Sequence, residues 1–269
     1  MKRFFICIAL ALAATFSISA QDWAKARLEK SPRHQEWTKV KSGDRQVQSF
    51  VVYPEVKEKA TAVVVIHEIF GLSDWVRGVA DQLAEAGYIA IVPDLLSGMA
   101  PDGGGTAELG GRDAVTKAVY ALPAKQVTAD LNAVVDYVSK LPACNGKVAV
   151  AGFCWGGGQS FRLATNNKDV KAAFVFYGTG PDSPEEIGRI QCPVFGFYGG
   201  NDARVCATVP KSSELMQKAG KKYEPITYDG AGHGFMRAGE SPDPKEATDA
   251  NKKAREESWQ RLKSELKKI

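Results

Sequence analysis

The sequence predicts an α/β protein: a mostly parallel, twisted sheet with helices on both faces and an N-terminal hairpin. Three observations predict it. Short apolar runs rich in β-branched residues recur at residues 61–66, 88–92, 147–153, 172–177 and 193–198. Stretches with helical periodicity lie between them at 74–86, 124–140 and 208–219. The two patterns alternate along the chain, as strand-helix-strand crossovers require, and a strand covered on both faces reads as a continuous apolar run.

In chain order, Lys2 and Arg3 precede an apolar run from Phe4 to Phe16, after which Ser17-Ile18-Ser19-Ala20 leads into Gln21-Asp22. A charged start, an apolar centre and a small-residue end make a secretory signal. Cleavage after residue 20 is expected, with a single domain over residues 21–269. The rival reading is a membrane anchor, but a spanning helix needs about 20 apolar residues, more than this run supplies. Cys7 lies inside the run without a Leu-x-x-Cys lipobox at its end, which disfavours lipid attachment. The mature protein is expected in the periplasm or outside the cell, free of the membrane. Residues 36–40 and 46–53 then flank Ser42-Gly43-Asp44 as a hairpin. Residues 223–228 are a candidate sixth strand of the alternating series, and residues 245–268 close the chain as a helix.

Residues 97–111, SGMAPDGGGTAELGG, follow neither period and lack the Gly-Lys-Ser/Thr of a phosphate loop. They read equally as a solvated connection or as a mobile flap at the carboxyl ends of the strands, where such sheets bind ligands.

The 269 residues are 44% hydrophobic and 25% charged, enough for a packed core. Net charge is +4, and loss of Lys2 and Arg3 leaves 33 basic against 31 acidic residues, or +2. The charges are interspersed, so nucleic acid is not an expected partner. A monomer acting on a small molecule is expected. Export places the four mature cysteines, Cys144, Cys154, Cys192 and Cys206, in an oxidising compartment, as two disulfides or as one disulfide and two thiols. Cys144 and Cys192 both precede parallel strands at one sheet edge, with one strand between them. They are the expected pair, and Cys154 is expected to stay free.

The stretch AGFCWGGG, residues 151–158, places Cys154 between glycines where a strand ends and a helix begins. Gly152-Phe153-Cys154-Trp155-Gly156 has the spacing of a Gly-x-Ser-x-Gly nucleophile elbow, with Cys in the Ser position. Cys154 would stand at a helix amino end, which favours the thiolate. A small buried residue among flexible neighbours is the bland reading. Two further loops raise the elbow above it: Asp202 follows the strand in FYGGNDARV, and His233, one of three histidines, sits in DGAGHGF after the last strand. Nucleophile, acid and histidine thus occur in α/β-hydrolase order at one sheet edge, with His233 as proton carrier and Asp202 as its orienting partner.

VVVIHEIFGL (63–72), GFCWGG (152–157), YGGND (198–202) and AGHGF (231–235) together resemble the dienelactone hydrolases, from about Val51 to the C-terminus. The resemblance implies the α/β-hydrolase fold and a Cys/His/Asp hydrolase of small cyclic enol esters or related esters, without metal or organic cofactor. It implies that Glu68 holds the resting thiol and helps form the thiolate when substrate arrives, a role that suits a carboxylate whose pKa burial has raised. The backbone N–H groups of Ile69 and Trp155 would form the oxyanion hole. Arg237 matches an arginine that grips a substrate carboxylate with its planar guanidinium. His67 is expected to point to the other face of its strand and to be structural. The chain departs from the family at Gly98, where a second carboxylate-binding arginine is expected after Pro93-Asp94-Leu95, and Arg112 is a candidate substitute. A thioesterase or carbohydrate esterase on the same three residues, and an exported binding protein without catalysis, remain as alternatives.

Overall fold

The computed structural model describes residues 22–269; the signal sequence expected over residues 1–20 lies outside the described residues. The chain runs α1 (Asp22–Glu29), β1 (Gln35–Ser42), β2 (Arg45–Val52), β3 (Ala60–Ile66), α2 (Asp74–Glu85) and β4 (Ile89–Pro93). It continues through α3 (Arg112–Ala121), α4 (Ala124–Ser139), β5 (Cys144–Phe153), α5 (Trp155–Asn166), β6 (Val170–Phe176), α6 (Pro184–Gly188) and β7 (Val194–Gly199). The last elements are α7 (Ala203–Cys206), α8 (Val209–Lys218), β8 (Tyr223–Tyr228), α9 (Phe235–Ala238) and α10 (Asp249–Leu266).

Eight strands form one sheet in the order β1-β2-β4-β3-β5-β6-β7-β8. The hairpin β1-β2 is antiparallel and joins β4 antiparallel, whereas the strands from β4 to β8 pair in parallel. Gly43 makes the hairpin turn at φ +57°, which a side chain would strain.

Strand alternation divides the core into two layers. Val63 and Val65 of β3 face α2, α10 and α1, meeting Trp75, Val79, Leu83 and Leu262. Val64 and Ile66 face the opposite way, onto Leu131 and Val134 of α4 and Phe161 of α5. All seven residues of β3 are buried, which accounts for its uninterrupted apolar sequence. Burying each leucine or phenylalanine contributes about 1.5–3 kcal/mol, so these layers hold the sheet edge that carries the loops.

The expected disulfide between Cys144 and Cys192 does not form; both are buried free thiols. Cys144 begins β5 and Cys192 leads into β7, with β6 between. Two strand spacings put them roughly 9–10 Å apart, beyond the about 7 Å that a disulfide can bridge.

The Gly-rich segment is tied down. Asp94, just after β4, accepts hydrogen bonds from Thr106 N (2.7 Å) and Thr106 Oγ1 (2.7 Å), and Thr106 Oγ1 accepts from Leu72 N (3.0 Å). The segment ends in α3, absent from the sequence prediction, whose Val115 and Val119 pack on Leu96. Among the described residues, no helix is long and apolar enough to cross a membrane.

Candidate active site

The turn from β5 to α5 is possible only because of its glycines. A Cβ on Gly152 would lie 1.9 Å from Gly156 O, and one on Gly156 would lie 2.4 Å from the carbonyl oxygens of both Ile66 and His67. With no side chains there, the strand and helix backbones touch, and Cys154 is forced to φ +57°, ψ −118°. A non-glycine residue in that region is strained, and the strain projects its side chain clear of the turn. Cys154 N donates to Phe176 O of the neighbouring strand (3.0 Å), which anchors the turn.

Asp202 stands beyond β7, where its backbone N–H donates to Gly199 O (2.9 Å) and its Oδ1 accepts from Val205 N (3.3 Å). His233 lies in the loop after β8, a loop held by a bond from Gly232 N to Asn251 Oδ1 of α10 (2.9 Å). These loops converge. His233 Nδ1 is hydrogen-bonded to Asp202 Oδ2, and His233 Nε2 lies 3.1 Å from Cys154 Sγ. A carboxylate only accepts, so Nδ1 donates, and the lone pair on Nε2 faces the thiol. Asp202 is buried and His233 half-buried.

The Cys154 thiol is pushed up to about 11, by burial first and then by the Glu68 charge, while the Trp155 and Ile69 N–H groups and Arg204 pull the other way. The helix-end advantage expected from sequence is therefore outweighed, and the resting sulfur keeps its proton. Its single hydrogen is directed to His233, not to Glu68. The Glu68 carboxylate, itself raised by burial, is paired with Arg237 Nε at 3.4 Å. Arg237 also meets Glu246 at 3.4 Å.

Two aromatic residues missed in the sequence complete the surroundings. Tyr177, at φ +41° just past β6, is fully buried and sets its ring edge-on to His233 with centroids 5.1 Å apart. Burial and the Glu68 and Cys154 charges push its hydroxyl well above the usual range. A Tyr-Gly pair closing an apolar strand was the available signal. Trp37 of β1 lines a cleft of about 550 Å³ together with Phe70, Thr106, Arg112 and Arg237. Neither Cys154 nor His233 lines this cleft, which opens beside them at Phe70 and Arg237. The guanidinium carbons of Arg112 and Arg237 lie 4.3 Å and 5.7 Å from the Phe70 ring centroid. The substitute suggested for the arginine absent at Gly98 thus shares a wall with Arg237. Among the described residues, no cluster of histidine, cysteine or acidic side chains could hold a metal ion.

A mostly parallel sheet with a strained elbow after β5, an acid after β7 and a histidine after β8, all at the carboxyl ends of the strands, defines the class: an α/β hydrolase. Within that class, the chain belongs to the dienelactone hydrolase family, whose model matches residues 47–269. A Yersinia pestis protein assigned as a carboxymethylenebutenolidase is 34% identical over 185 residues, covering 64% of this chain and 67% of its own. A Saccharolobus solfataricus protein with the same assignment is 28% identical over 261 residues, covering 85% and 96%. The crystal structure of a Klebsiella pneumoniae protein assigned as a dienelactone hydrolase is similar at a TM-score of 0.74 and 25% identity, covering 88% of this chain and 99% of that one.

Proposed function

We propose that the protein is an exported hydrolase that opens or cleaves a small, carboxylate-bearing lactone or ester through a Cys154 thioester. The observation that carries this reading is the series Cys154 Sγ, His233 Nε2, His233 Nδ1, Asp202 at the elbow, with the Ile69 and Trp155 N–H groups acting on the sulfur. His233 takes the thiol proton as Sγ attacks the carbonyl carbon, and Asp202 steadies the imidazolium. The carbonyl oxygen becomes an oxyanion between the two N–H groups. Collapse breaks the C–O bond, His233 returns the proton to the leaving oxygen, and water activated by His233 then releases the acid and the thiol.

Glu68 and Arg237 link substrate charge to this chemistry. A substrate carboxylate that takes Arg237 leaves Glu68 buried and unpaired beside the thiol. Burial then raises the proton affinity of the unpaired carboxylate, which makes it a second acceptor for the thiol proton. Arg112, near the same phenyl ring, is the candidate for the second carboxylate contact that Gly98 cannot make. The cleft volume of about 550 Å³ is in the range that holds ligands larger than a bare five-membered ring. That favours a larger substrate, such as a thioester or a carbohydrate ester, as the second reading.

An activity panel of anionic lactones, neutral aryl esters and thioesters tests both. Charge-assisted bonds contribute about 1.5–3 kcal/mol, so Arg237→Ala should lower kcat/KM for anionic substrates about tenfold to two-hundredfold. KM should carry most of this change, with neutral substrates little affected. Equal losses on charged and neutral esters would assign Arg237 a structural role. Export is tested separately: mass spectrometry of protein from the producing cell should find a mature N-terminus at Gln21, and soluble protein that retains Met1 would refute it.

A further inference from the structure

We infer that His67 is a positioning residue for the oxyanion site: its Nδ1–H fixes the peptide whose N–H is one oxyanion donor, and its ring braces the residue that carries the other. The inference rests on the proposed roles of the Ile69 and Trp155 N–H groups. His67 is fully buried at the end of β3, and its Nδ1 lies 2.7 Å from Glu68 O. A carbonyl oxygen only accepts, so Nδ1 carries the hydrogen. Glu68 C=O and Ile69 N–H belong to one planar, trans peptide unit, so they point in opposite directions, and fixing one fixes the other. Gly71 N donates to the same oxygen at 3.2 Å, which engages both of its lone pairs. The far side of that unit faces Cys154, whose sulfur feels the Ile69 N–H.

The imidazole also stacks on the Trp155 indole, with centroids 5.5 Å apart and planes 15° from parallel. Trp155 N–H is the other group acting on the sulfur. One buried ring thus touches both halves of the oxyanion site, in the loop after β3 and at the start of α5, without contacting substrate. Its second nitrogen, Nε2, has no hydrogen-bond partner among the described residues. Burial pushes the ring toward its neutral form, with Asp94 opposing in part. A buried polar atom left unpaired is costly, and an apolar side chain here would avoid that cost. The Nδ1 donor and the stacking offset it.

Two substitutions separate donor from packing. His67→Asn keeps an N–H donor near the Nδ1 position and loses the ring, whereas His67→Phe keeps the ring and loses the donor. The readouts are kcat and KM on the best ester of the panel, and the inhibition constant of a trifluoromethyl ketone that forms a tetrahedral adduct with Cys154. Removal of an oxyanion donor costs about 10²–10³ in kcat, so misdirecting one should cost about tenfold to a hundredfold. His67→Phe should lower kcat and ketone affinity by that factor, with KM within about threefold, because the interaction is made only in the transition state. His67→Asn should lose only about threefold to fivefold, the share of the ring that no longer braces Trp155, since a retained donor keeps the Glu68–Ile69 peptide in place. If His67→Phe does not fold, His67→Leu serves as the donorless variant. A donorless variant with wild-type kcat and ketone affinity would overturn the inference, as would His67→Asn falling as far as His67→Phe. Full turnover by Cys154→Ala would instead defeat the underlying reading of the site.

Discussion

Cys154→Ala is expected to reduce kcat by about 10⁴ to 10⁶, because nucleophile and histidine act as a unit and little remains once the attacking atom is gone. The fold should be unchanged, since the side chain projects clear of the turn. Cys154→Ser should also fall far below wild type, because a hydroxyl needs stronger activation than a thiol. Mass spectrometry of wild-type protein quenched during turnover should show an acyl adduct on Cys154 that Cys154→Ala lacks; hydrolysis by that variant at the wild-type rate would remove the thiol from the mechanism. The same residue gives a pH signature. A thiol raised to about 11 is neutral at pH 7 and ionises only as pH approaches that value. Iodoacetamide labelling of the substrate-free protein should therefore climb steadily between pH 7 and 10. A rate already level at pH 7 would mean a preformed thiolate.

Gly152→Ala has the largest expected effect on stability. Its Cβ would sit 1.9 Å from Gly156 O and 2.4 Å from Gly156 C. Both are backbone atoms at the start of α5, so no rotamer change relieves the clash. Overpacking alone costs about 1–3 kcal/mol where side chains can move, and a backbone collision should reach about 4–5 kcal/mol. Gly188→Ala is the control: nothing lies within 4 Å of its added Cβ, and the substitution should be neutral or stabilising by up to about 1 kcal/mol. Urea unfolding of both variants decides the point, with a wild-type midpoint for Gly152→Ala as the contrary outcome.

The strands were legible because both faces of the central ones are buried: β3, β5, β6 and β7 left continuous apolar runs, and residues 223–228 proved to be the last strand, β8. Their spatial order was not, because nothing local to residues 89–93 says that β4 lies between β2 and β3. Helix α3 escaped because only Val115 and Val119 are buried on it, too few to mark a periodic face after a run of glycines. The positions of Cys154, Asp202 and His233 could be read because each follows a strand end with a turn sequence. What they do to one another could not. The ionisation of Cys154 depends on how deeply it is buried and on Glu68, 86 positions earlier in the chain. Tyr177 entered the site through a left-handed backbone angle that only the Tyr-Gly pair after β6 hinted at, and His67 through a strand-end side-chain bond that leaves no sequence pattern. The Cys144 and Cys192 expectation failed on a distance set by one intervening strand.

The protonated resting thiol has a consequence for the protein's working lifetime. Peroxides and disulfides are attacked by thiolate, not thiol. A thiol raised to about 11 leaves only about one molecule in 10⁴ reactive at pH 7. A cysteine ionised at rest would meet such oxidants as thiolate throughout its life and be open to sulfenic acid formation. Keeping the sulfur protonated at rest confines its nucleophilicity to the moments when a base takes its proton. The same burial that slows the free thiol thereby extends the time over which one molecule can keep working.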